Sequence, residues 1–514
     1  MNHSIDYLRR QAKQLKRGFA AGDPHAIQRA RSVLPDAEAL KHAQALHVIA
    51  HEQGYESWPR LKLASETAKM NREQKAERLK IALYYGQHWI TKALLEAEPG
   101  LENANFGLQV ALYDRTAVDA ALKDDPEAAV RTVGIRSPIL HLAFSRHIHA
   151  APGRADDMIA IAEALLRNGA DVNDSYPFEP GSEHRLSALY GALGHGDNMR
   201  LSRWLLENGA DPNDNESLYH STELGHHEGL KMLLEHGAVA EGTNALPRAL
   251  DFNDIEAVKL LLEGGADPNE GIVPHPSGQP MMMVFALHQA ARRMCSGDIA
   301  QLLIDHGADG TVPFNGHSAY AFACMFGNNE VADVLEHAGQ GTALDAVEAT
   351  IASAVNGPVC GRVDPGALTD ETQRIMMRMI GFSGRLEHIK RLYAIGIDPE
   401  WTDEMGMTAI HVAGWEGQAD AVAWLLTLNP DLNHKNDYGG DLLGTIIHGA
   451  EFCPKRAGRN HLECARLVLA KGAVLRQTEI DLCGVEDMTE LLADWAEAHP
   501  RQVEDDRQTA RKEE

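Results

Sequence analysis

Paired leucines recur through this chain at helical spacing. Leu205/Leu206, Leu233/Leu234, Leu261/Leu262, Leu302/Leu303 and Leu425/Leu426 mark one apolar seam per segment. Gly169, Gly209, Gly237, Gly265 and Gly307 end such segments, where a helix needs a left-handed residue to stop. Small pairs such as Ala290/Ala291 let neighbouring helices approach closely. One helix pair cannot bury such a seam alone. Stacked pairs share it as a continuous core, so the pattern points to a helical array.

The stretch Glu216 to Ala238, ESLYHSTELGHHEGLKMLLEHGA, shows the unit most fully. It resembles an ankyrin repeat: Thr-Pro-Leu-His, two small residues, Gly-His, then Leu-Leu-x-x-Gly-Ala. RLSALYGALGHGDNMRLSRWLLENGADPN and MTAIHVAGWEGQADAVAWLLTLNPDLN follow the same pattern. The expected fold is all-α: an ankyrin-repeat solenoid of about twelve helix pairs with short or missing hairpins, plus an N-terminal helical domain. The expected spans are 1–70 for that domain, 71–340 for the first part of the array, 341–370 for an irregular repeat or bend, 371–499 for the second part and 500–514 for a disordered tail. AHEQGYESWPRLKLASE resembles the small helical extension in front of many bacterial ankyrin proteins.

Bulk properties narrow the function. The 514 residues carry a formal charge of −26. That argues against wrapping nucleic acid or resting on anionic lipid. The exception is the first helix, where Arg9, Arg10, Lys13, Lys16 and Arg17 share a face. It is the one candidate for nucleic acid, against the simpler reading of a solvated cap. Six scattered cysteines without a Cys-x-x-Cys pair read as reduced thiols of a cytoplasmic protein. The N-terminus lacks the apolar core of a signal peptide, and no apolar run spans a bilayer. No membrane partner is expected.

The 26 histidines invite a metal reading, which the repeat alignment mostly removes. His141, His288 and His411 hold the pattern histidine, which the resemblance implies is bonded to nearby backbone. His226, His236 and His306 also fall on ordinary repeat positions. His147 and His149 lie in an insertion, without converging ligands at metal spacing. No metal or cofactor is expected, and Met281–Met283 and Met376–Met379 read as core.

Function is sought where the repeat is broken. Gly209, Gly237 and Gly265 are 28 residues apart, short of the usual ~33, so two hairpins look shortened. Residues 174–186 and 270–283 are long flanking loops, which predicts a pocket between them. Aligned from Gly225, Tyr219 takes the histidine position and His220 the variable one. Glu216, His220 and Glu223 then share an inner-helix face, matched by Asn244, Arg248 and Asp251 in the next repeat. Ser187, Gly191 and Gly194 leave a glycine-lined gap in the previous one. Tyr190 and Tyr219 lie near. Trp415, with Trp401, Asp437, Tyr438 and Glu451, is a second candidate surface.

The expected function is a binding scaffold that recognises a protein or small polar ligand on an acidic concave face. Glu216, His220, Glu223, Arg248, Asp251 and Trp415 are its candidate contacts. The alternative is a hydrolase, glycoside hydrolysis for example, with Glu223 and Asp251 as acid and base and His220 as proton carrier.

Overall fold

A computed structural model describes residues 5–274, 284–380, 385–453, 458–483 and 485–506. The expected loop 270–283 is therefore described only to residue 274, and Met281–Met283 lie outside the described residues. The chain separates into two compact units: Met1–Arg293 with Gln301–Ala308, and Met294–Ala300 with Asp309–Glu514.

The first unit opens with helices Ile5–Ala20, Pro24–Val33, His42–Glu52 and Trp58–Thr67. Asp23 caps the second, its carboxylate accepting from the His25 amide, and Pro24 starts it. The third begins at His42. Gln44 accepts from the Lys41 amide there, which fixes the start. Leu8, Leu15, Ala30, Leu46, Ile49 and Trp58 close an apolar cluster among these helices. Arg9, Arg10 and Arg17 stay on the exposed side of the first helix.

Helix pairs follow. Inner helices Ser217–Ser221, Ala245–Asp251 and Ala286–Arg292 pack in succession. The outer helices Met199–Glu207, Glu228–Glu235 and Ile255–Glu263 form a second layer behind them. Leu205, Leu233 and Leu261 are fully buried in the seam. Gly209 and Gly237 end the outer helices at φ +95° and +89°, so a side chain there would be strained. Two of the three pattern histidines bond nearby backbone, as the repeat implies. His141 Nε2 lies 2.9 Å from the Val133 carbonyl, and His411 lies between Thr408 Oγ1 and the His434 carbonyl.

The fold is mostly helical but not all-α. Ser175–Pro177 pairs antiparallel with Arg185–Ser187, so the long loop expected over 174–186 is a hairpin. Tyr176 and Leu186 are buried on one side of it, which makes pairing worth more than a solvated loop. Between Gly209 and Gly265 the chain forms no strand.

In the second unit, the stretch expected to be irregular contains a regular helix, Ala346–Asn356. Asp345 and Glu348 cap it reciprocally, outweighing the glycines and prolines that follow. The chain past Pro500 also has structure up to residue 506. Val503–Glu504 pairs with Leu475–Arg476, and Gln502 donates to the carbonyls of Leu469 and Ala473. Residues 507–514 lie outside the described part. Among the described residues no helix is long and apolar enough to cross a membrane.

Candidate functional site

Glu216 occupies the threonine position that opens the repeat, just before helix Ser217–Ser221. Asp214 holds it there by accepting from the amides of Glu216 and Ser217 at 3.0 and 2.8 Å. Glu216 is only 4% exposed. Such a burial is tolerable only with hydrogen-bond partners. His220 at 3.1 Å and His184 on its other oxygen are among them.

From Glu216 a chain of charges crosses three repeats. His220 Nδ1 meets Glu223 at 2.8 Å. Arg248 reaches back to Glu223 at 2.8 Å and along its own helix to Asp251 at 3.1 Å. Asp251 also accepts from Gln289 at 2.6 Å and pairs with Arg293 at 2.7 Å. The five residues predicted around the groove are thus brought together as one ladder of alternating sign.

The ladder sets its own protonation. Burial works against a charge on His220, but its hydrogen bonds to the carboxylates of Glu216 and Glu223 outweigh it and raise the ring to about 9. Burial opposes charge on Glu223 too, yet the His220 and Arg248 contacts hold that carboxyl below its usual range. Tyr219, largely through burial, is raised despite the Arg248 guanidinium 5.6 Å from its ring. The Phe252 ring also lies 4.8 Å from that guanidinium.

One part of the predicted geometry is corrected. The glycine-lined gap is filled: a Cβ on Gly194 would come within 2.8 Å of His220 Cβ and of the Tyr190 ring. At Gly191 it would meet the Phe144 ring at 2.5 Å. Glycine is there because aromatic side chains use the space. The predicted pocket between long walls falls in part on residues 275–283, which lie outside the described residues. The hairpin 175–187 sets His184 on Glu216 and so closes against the ladder instead of framing it. A cleft of about 470 Å³ opens elsewhere on that hairpin, along Ser175, Arg185, Asp211 and Asp214. His220, Glu223 and Arg248 do not line it.

The hydrolase arrangement needs one carboxyl that stays protonated. Arg248 lies between Glu223 and Asp251 and favours the ionised form of Glu223. The two carboxylates beside His220 favour its protonated form. The ladder is held together by ion pairs and hydrogen bonds.

Trp415 belongs to the second unit and packs its ring against His448 at 5.3 Å, half-buried. Trp401 packs under Arg374 at 5.6 Å, and Tyr438 is exposed. Among the described residues no group of three His, Cys, Asp or Glu side chains converges as a metal site. His149 bonds the Gly196 carbonyl at 2.7 Å instead.

The sequence reading missed His184, Gln289 and Arg293. Gln289 occupies the same repeat position as His220 and Arg248, one repeat further on, and extending the alignment finds it. His184 sits in an insertion without register, so no spacing points to it.

Glu216, His220, Glu223, Arg248 and Asp251 lie inside a region that matches a family model. Residues 189–271 match the model for ankyrin repeats, in three copies. The chain carries ankyrin repeats. The other similarities are partial. Protein phosphatase 1 regulatory subunit 27 of Homo sapiens and of Mus musculus is 38% identical over 65 residues, which are 13% of this chain. The chain spans only 42% of the length of those relatives. An ankyrin repeat domain from Acinetobacter baumannii aligns at 24% identity over 37% of this chain and 97% of that one, with a TM-score of 0.30. The human ASB11 ankyrin repeat domain aligns at 19% identity over 49% and 96%, with a TM-score of 0.25.

Proposed function

We propose that the chain is a cytoplasmic, bacterial-type binding scaffold whose inner-helix face in the ankyrin region recognises a polar protein surface. The observation that carries this reading is the ladder His220–Glu223–Arg248–Asp251–Arg293. It crosses successive repeats with half-exposed side chains of both signs. A partner can exchange these internal pairs for its own at little net cost, and the match of signs fixes register. The net charge of −26 steers a basic partner toward the molecule. The relatives' name, a regulatory subunit, describes a chain that works through another protein, which supports the same reading.

The test is a pull-down with the full chain and three charge reversals, each first checked by its melting temperature. Glu223→Lys and Asp251→Lys should lose a discrete protein partner. Glu263→Lys, on the outer helix and 55% exposed, should keep it. Equal recovery by all three, or no protein partner and a melting temperature raised only by a small polar molecule, would reject the reading.

A further inference from the structure

A second surface of the first unit is organised around Arg136, at the end of the turn closed by the Val133–Arg136 bridge. Its guanidinium carbon lies 4.6 Å from the Tyr84 ring centre, 5.0 Å from Phe144 and 4.5 Å from Tyr176. Its Nη2 donates to the Tyr176 hydroxyl at 2.8 Å. Its Nε is buried with no hydrogen-bond partner. Among the described residues no carboxylate pairs with it. An aromatic cage favours a guanidinium, but an arginine held among rings without a counter-ion leaves its charge partly uncompensated.

The space in front of the cage is open. A cleft of about 520 Å³ is bounded by Tyr84, Arg136 and Tyr176 at its base. Its rim is apolar and turned to solvent: Ile135 is 70% exposed, Tyr85 63%, Phe178 56% and Ile81 47%. The one carboxylate lining it, Glu77, is held by Lys80 at 2.6 Å. The local field is positive although the chain is strongly acidic. Burial, with Arg146 and Arg136 adding to it, pushes the neighbouring His195 down to about 4.

We infer that this cleft is a docking site for a peptide segment of a partner protein that carries a carboxylate side chain next to bulky apolar ones. The carboxylate meets Arg136, and the apolar side chains cover Ile135, Tyr85 and Phe178. One guanidinium with an apolar rim suits a singly charged carboxylate. A phosphate group calls for several donors converging on it. The site is separate from the Glu216–Asp251 ladder and of opposite preference, so its failure leaves the ladder reading intact.

The test uses the full chain and three fluorescein-labelled peptides, followed by anisotropy. They are Gly-Ser-Phe-Glu-Phe-Ser-Gly and the same sequence with glutamine or phosphoserine in place of glutamate. The glutamate peptide should bind at least about tenfold more tightly than the glutamine peptide. Arg136→Met should remove that preference, Ile135→Ser should weaken both peptides, and Glu263→Gln, on an outer helix away from both sites, should change neither. If Arg136→Met fails to fold, the peptide comparison on the unaltered chain and Ile135→Ser still decide. Equal binding of glutamate and glutamine peptides, tighter binding of the phosphoserine peptide, or no binding of any of them would overturn the proposal.

Discussion

Arg248 donates to Glu223 at 2.8 Å across the boundary between two successive repeats. Both side chains are 28% exposed, so the pair is neither a free surface contact nor a buried one. Its coupling should fall near 1 kcal/mol. A double-mutant cycle of Glu223→Gln and Arg248→Met, read by denaturant unfolding, should give that value. It should shrink in high salt.

His220 links the ladder to pH. Its folded-state value, about 9, is above the ~6.5 of an unfolded histidine. The stability it contributes is fully present below about 6.5 and is lost as pH rises through about 9. Glu223 is depressed, so its contribution is present above the ordinary glutamate range and is lost as pH falls through its lowered value. His220→Asn should therefore destabilise clearly at pH 6 and much less at about pH 10. Equal losses at both would mean that the charge on His220 does not matter.

The close packing of Gly194 predicts a sharp contrast between two glycine substitutions. Gly194→Ala should cost about 1–3 kcal/mol, because its new methyl meets His220 and Tyr190 at 2.8 Å. Gly153→Ala, with nothing within 4 Å, should stay within about 0.5 kcal/mol of the parent. Thermal melts of the two variants check this.

The cysteines of the second unit should report its unfolding. Cys360 is exposed, whereas Cys464 is buried and its thiol is pushed up to about 12, chiefly by that burial. A thiol-specific maleimide should label Cys360 at once and Cys464 only as denaturant opens the unit. Mass spectrometry of the digested protein distinguishes the two.

Much of this was legible in the sequence, for reasons that differ by residue. The seam leucines and the left-handed glycines follow from helical period and backbone sterics, which are local. Glu216, His220 and Glu223 could be placed together because the repeat fixes register, and Arg248 and Asp251 followed by translation. The hairpin 175–187 could not be read that way. Its proline, glycine and charged residues look like a loop, and only burial of Tyr176 and Leu186 against neighbouring repeats makes it pair. His184 and the Arg136 cage depend on the same long-range contacts. The glycines at 191 and 194 were read as empty space because sequence shows the missing side chain, not the Phe144 and Tyr190 rings that take its place.

The most direct test of the central claim is photo-crosslinking from the ladder. Phe252 is exposed and stands beside Arg248, so replacing it with p-benzoylphenylalanine keeps an aromatic side chain there. In lysate from cells that express the protein natively, irradiation should give one discrete crosslinked protein, lost when Arg248→Glu is added. The same group at Lys259, on an outer helix and half exposed, should not capture it. No crosslinked protein from Phe252, or the same proteins from both positions, would contradict the account.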